Sequence, residues 1–105
     1  MNQLNRKQMM VALEQLVPEM KDHMRPAEEF YGRDEEENGG IWTSGEHGFT
    51  MTVQNYPHRI FSYWSEDYEE KLYIGGVLKV FDTWLRERGW FSEFYDAGTV
   101  MLYPI

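Results

Sequence analysis

The spacing of apolar residues changes period along this chain, and only a mixed fold accommodates every change. Near the N-terminus Leu13, Leu16, Val17, Met20 and Met24 recur at i, i+3, i+4, i+7 and i+11, one stripe of a helix. From residue 41 the period drops to two. Three short runs, Ile41–Thr43, Phe49–Val53 and Arg59–Trp64, are separated by Ser-Gly-Glu-His-Gly and Asn-Tyr-Pro-His. Phe49, Met51 and Val53 alternate with Thr50 and Thr52, and the last run carries rings on both faces, as a central strand does.

The helical period then returns. Ile74, Val77, Leu78, Phe81 and Leu85 predict a helix over 67–88, with Arg86 and Arg88 in its last turn and Gly89 as the residue that ends it. Finally Trp90–Ile105 reads as a hairpin around Asp96-Ala97-Gly98, with Gly98 expected at positive φ.

Local signals refine the first part. Asn2 or Asn5 caps the first helix, and Pro18 either kinks it or opens a second one, because proline lacks the N–H that a helix interior needs. Pro26 suits the first turn of a further short helix, with Glu28 and Glu29 near its positive end. Residues 32–40, Gly-Arg-Asp-Glu-Glu-Glu-Asn-Gly-Gly, contain no apolar side chain and read as a solvated loop.

The expectation is therefore one α+β domain over 1–105. It comprises a helical segment at 1–31, an acidic loop at 32–40, a three-stranded antiparallel meander at 41–64, a long helix at 67–88 and a C-terminal β-hairpin at 90–105. The helices pack on one mostly antiparallel sheet.

Chemistry is bounded more by what is missing. There is no cysteine, which removes thiolate nucleophiles, disulfides and Cys-based metal sites and favours a reducing, cytoplasmic setting. Arg6 and Lys7 precede an apolar stretch, but Glu14 interrupts it well short of a signal sequence or a membrane span. His23, His47 and His58 lack metal-ligand spacing, and no serine has a nucleophile-elbow context, so no cofactor, metal or catalytic residue is expected and the chain reads as a non-enzyme.

Charge is the positive signal. The net value is −8, with +2 over residues 1–10, −6 over 11–40, −3 over 41–72 and −1 over 73–105. Such a surface repels nucleic acid and anionic membrane and attracts basic partners. Acids cluster at Glu28 and Glu29, at Asp34, Glu35, Glu36 and Glu37, and at Glu66, Asp67, Glu69 and Glu70 around Tyr68. Asp67 and Glu70 also have the spacing of a capping box, which makes helix capping the plainer reading of that last run. Tyr63, Trp64, Tyr68 and Tyr73 beside these acids match the composition of a protein-binding hot spot, although rings of this kind also build cores.

The leading expectation is a small acidic interaction protein that binds a basic protein partner, as an inhibitor, an immunity-type protein or a nucleic-acid mimic facing a nucleic-acid-binding protein. The alternative is a small-ligand or regulatory domain, or an enzyme, with a pocket between the second helix and the sheet lined by His58, Trp64, Tyr73, Gly75 and Gly76. A homodimer formed through an exposed apolar face is a third reading. Gly75-Gly76 serves either close packing or a ligand. A later helix start, near Ile74, would remove much of the cost of ~1 kcal/mol that each glycine imposes inside a helix.

Overall fold

Asn5 is the cap of the first helix, α1 (Arg6–Leu16). Its side chain accepts from the Gln8 N–H at 2.8 Å, and the Gln8 side chain accepts from the Asn5 N–H at 3.0 Å. The computed structural model of the chain describes residues 3–31, 39–62 and 71–105. Pro18 opens a separate 3₁₀ helix, Pro18–Asp22, where its missing N–H costs nothing. Leu13, Val17, Met20 and Met24 stay on one buried stripe through this change of element, and Leu16 packs at its margin.

Met24 then enters a short strand that helical spacing conceals, β1 (Met24–Pro26), followed by one helical turn, α2 (Glu28–Tyr31). The strands that follow are β2 (Ile41–Ser44), β3 (Thr50–Val53), β4 (Tyr56–Arg59), β5 (Tyr73–Ile74) and β6 (Val77–Leu78). Helix α3 (Lys79–Arg86) comes next, and β7 (Trp90–Asp96) and β8 (Thr99–Pro104) close the chain. The mixed α+β class expected from the sequence is what forms, with every strand pair antiparallel.

The three-stranded meander on a single sheet is where expectation and structure part. The main sheet runs β1-β2-β8-β7, while β3–β4 and β5–β6 are separate two-stranded ladders. The meander over 41–64 therefore does not form. β1 and β8 occupy both edges of β2, which leaves none for β3, and Gly45 after it is pressed against the β7–β8 turn. Its N–H donates to Gly98 O at 2.9 Å, and an added Cβ would lie 3.0 Å from Ala97 O. Residues 60–62 do occupy a position between two partners. Ile60 N–H donates to Phe49 O, Ile60 O accepts from Leu78 N–H, and Ser62 N–H donates to Gly76 O. The regular ladder, however, is Tyr56–Arg59, of which only Arg59 falls in the expected strand and Tyr56, Pro57 and His58 fall in the expected separator. Gln54 and Asn55, both at positive φ, make the actual turn.

The helix over 67–88 is also corrected. Residues 71–78 are not helical, and α3 starts only at Lys79. Tyr73–Ile74 pairs with Val77–Leu78 across Gly75 (φ 56°) and Gly76 (φ 82°), a two-residue hairpin turn that needs positive φ at both positions. Glycines that would cost stability inside a helix cost little here. The expected capping pair Asp67 and Glu70 lies outside the described residues.

The C-terminal hairpin matches its expected bounds, but Gly98 is not among the positive-φ residues. Asp96 closes that turn instead by accepting the Gly98 N–H at 2.9 Å, and the ladder skips Tyr95 as a bulge. Gly89 does take φ 80° after α3.

One apolar cluster joins these pieces. Met9 and Leu13 of α1, Phe81 and Leu85 of α3, and Ile41, Val100, Leu102 and Trp90 of the main sheet are all buried in it. Residues 3 and 4 strap the back of α3 to β7. Trp90 Nε1 donates to Leu4 O at 2.8 Å, and Gln3 Nε2 donates to Gly89 O at 2.8 Å.

Candidate functional site

Among the described residues, two surface places are candidates for a site. The first is one end of the main sheet. Gly45, held on the β7–β8 turn, carries Glu46 onto Gly98, where the Glu46 carboxyl carbon lies 3.4 Å from the point a Cβ would occupy. Asp96 Oδ1 accepts from the N–H of the same glycine at 2.9 Å.

His47, next in the loop, stacks on His23 with centroids 3.6 Å apart and planes 28° from parallel, and Phe49 supports both rings. His47 Nε2 lies 3.2 Å from Glu19 Oε2 on the 3₁₀ helix. Glu46 and Asp96 thus both reach Gly98, and Glu19 reaches His47, the neighbour of Glu46 in the chain. None of the three carboxylates has a lysine or arginine within 4.0 Å among the described residues. Tyr95, 57% exposed, stands beside Asp96.

The second place is a cleft of about 250 Å³ between the β5–β6 hairpin, α3 and β7. Ile74, Val77 and Phe94 form its apolar wall, and Asp82, Arg86 and Glu93 supply charge. Arg86 Nε donates to Asp82 Oδ2 at 3.0 Å, one turn away on α3. The described chain on either side of the acidic run 65–70 joins at this hairpin, through the Ser62–Gly76 bond and a 2.7 Å bond from Lys79 N–H to Leu72 O.

Of the residues singled out from the sequence, Glu28 is taken up inside the fold. It accepts from Arg6 Nη1 at 2.8 Å and from the Gly39 N–H at 2.9 Å. The bond from Arg6, then the one from Gly39, holds its carboxyl far below the ordinary 4.5, at about 2. Arg6 also donates to Gly40 O at 3.3 Å, so this pair ties α1 to α2 and to the approach to β2. Glu29 is half-exposed, 3.7 Å from Arg25. Asp34, Glu35, Glu36, Glu37, Glu66, Asp67, Tyr68, Glu69 and Glu70 lie outside the described residues, as do Tyr63 and Trp64.

Tyr73 is not a docking ring. It is 8% exposed, and its hydroxyl donates to Arg59 O at 2.6 Å. His58 sits on β4 opposite Met51, away from the residues that line the cleft.

Glu19, Glu46, Asp96 and the His23–His47 stack were not singled out together from the sequence. The glycines flanking Glu46-His47 marked a turn, but the contact between that turn and Gly98 depends on strand register. Among the described residues no group of three or more His, Asp or Glu side chains is arranged to hold a metal ion, and no helix is long and apolar enough to cross a membrane.

Compared with protein-family models, with curated proteins and with solved structures, the chain matches none.

Proposed function

We propose that this chain is an acidic interaction module that docks on a basic surface of a protein partner. The observation that supports it is the placement of Glu46 and Asp96 at Gly98 and of Glu19 at His47, without a lysine or arginine partner among the described residues, beside the exposed ring of Tyr95. Carboxylates without a lysine or arginine partner keep their long-range field, which speeds encounter with a basic surface and rejects acidic ones. The net charge of −8 acts in the same direction.

Inhibition of a nucleic-acid-binding protein is the form of docking we propose for such a surface, because carboxylates and phosphates compete for the same arginines and lysines. A ligand pocket between α3 and the sheet is weaker on magnitude. The cleft holds about 250 Å³, below the ~300–1,000 Å³ of small-molecule sites.

The test is titration of the full chain with a labelled arginine-rich peptide, with an acidic peptide of equal length as control. Binding is expected at about 0.05 M salt and should weaken sharply at about 0.5 M, where the screening length is roughly 4 Å. The variant E19Q/E46Q/D96N should bind about tenfold more weakly, since each exposed pair is worth ~0.2–1 kcal/mol. Equal affinity for the acidic peptide, or none for the basic one, would overturn the proposal. Duplex DNA added with a nucleic-acid-binding partner should compete with the chain if the mimic form holds.

A further inference from the structure

We infer that the outward face of α1 is an interface between two copies of this chain, packed antiparallel about a two-fold axis at the level of Val11. The pairing uses none of the acids assigned above to docking.

Met9 and Leu13 on the inward side of α1 are fully buried, while Val11 on the outward side is 48% exposed. Around Val11 lies a shallow groove of about 390 Å³, lined by Leu4, Lys7, Gln8, Val11, Ala12 and Gln15. Lys7 is exposed and Glu14 partly exposed, and neither has an oppositely charged side chain within 4.0 Å among the described residues.

The order of charges along the helix says what covers this face. At ~1.5 Å and ~100° per residue, Lys7 lies about 6 Å before Val11 and Glu14 about 4.5 Å after it, on the same flank and within about 20° of each other. Gln8 and Gln15 lie about 4.5 Å before and about 6 Å after it, on the other flank. A two-fold axis normal to the plane of two antiparallel helices reverses position along the helix and preserves the flank. Lys7 of each copy then stands opposite Glu14 of the other, Gln8 opposite Gln15, and the two Val11 side chains meet at the axis. Helices ~8–10 Å apart bring such pairs within side-chain reach. A parallel pair reverses the flank, setting Lys7 against Gln8 and Glu14 against Gln15, and leaves both charges unpaired. Charge therefore selects the antiparallel pair.

The distribution of charge over the chain agrees. Each copy carries −8 in total but +2 over residues 1–10, so a second acidic copy meets least repulsion where α1 begins. The contact is small. A helix of 11 residues offers a strip ~16 Å long and ~10 Å wide, against ~800 Å² per partner in a stable complex. The dimer is accordingly weak and depends on concentration.

Sedimentation equilibrium of the full chain from about 10 µM to about 1 mM tests this, at about 0.15 M salt, where the screening length is roughly 8 Å and general repulsion is short-ranged. The mass should rise with concentration toward two copies and no further. Val11→Glu sets two carboxylates at the axis and should stay monomeric, with unchanged helical circular dichroism. K7E and E14K should each weaken association about tenfold, and K7E/E14K should restore it by exchanging the partners. E14K separates pairing from net charge. It moves the net charge from −8 to −6, so general repulsion alone predicts tighter association than wild type, whereas the pairing predicts weaker. E19Q/E46Q/D96N should not weaken dimerisation, whatever its affinity for the arginine-rich peptide. A wild-type chain that stays monomeric, association indifferent to Val11→Glu, or a double exchange no better than the single ones would overturn the proposal. So would mass rising past two copies, as a head-to-tail contact of α1 with the acidic end of the next copy gives.

Discussion

Gly75 and Gly76 are neighbours with the same sign of φ, and substitution should separate them. At Gly76 a Cβ would lie 2.9 Å from Phe94 Cε2 and 3.1 Å from Ser62 O, on a backbone at φ 82°. Gly76→Ala adds overpacking to backbone strain and should cost about 2–4 kcal/mol. Gly75→Asn should stay within about 0.5 kcal/mol. Urea unfolding of the two variants checks this directly. The tandem glycine was visible in the sequence as an anomaly inside a helical pattern. What that pattern concealed is that the anomaly belongs to a turn.

Glu28 supplies a second residue-scale test. Its carboxyl ionises at about 2 in the fold against an ordinary 4.5. A depressed carboxyl stabilises the folded state fully above its unfolded value, and that contribution is lost as pH falls from 4.5 toward 2. Glu28→Gln should therefore be less stable than wild type at neutral pH, and the gap should narrow on acidification through this window. Urea midpoints measured at several pH values give the result.

The least legible element was the chain from Tyr73 to Arg86. Ile74, Val77, Leu78, Phe81 and Leu85 satisfy helical spacing, yet a two-residue hairpin followed by a helix satisfies it almost as well. Val77 and Leu78 are buried as strand residues, Phe81 and Leu85 as helix residues, and Ile74 is 56% exposed. Exposure separates the two readings experimentally. Ile74→Thr should change stability by less than about 0.5 kcal/mol, whereas Leu85→Ala should cost about 2–5 kcal/mol, both read by denaturant unfolding.

Elements with chemical punctuation were legible: the Asn5 cap, the Pro18 break, the Gly89 stop and the C-terminal hairpin. Strand partnership was not, because β2 joins β8 across more than half the chain while β3 and β4 stay with each other. The acidic end is a product of that long-range pairing, since Gly45 meets Gly98 only once β2 and β8 are in register. The sequence carried its charge but could not carry its geometry.

At the scale of the whole molecule the net charge is −8, and the acids among the described residues divide between those bonded within the fold, such as Glu28, and those facing solvent, such as Glu19 and Asp96. The docking we propose depends on the second group. Amide shift mapping of the full chain with an arginine-rich peptide tests this most directly. The account predicts shifts centred on Glu19, Glu46, Tyr95 and Asp96, collapsing when salt screens the charges. Shifts centred instead on the outer face of α1 around Lys7 and Val11, or shifts that persist unchanged at high salt, would contradict it.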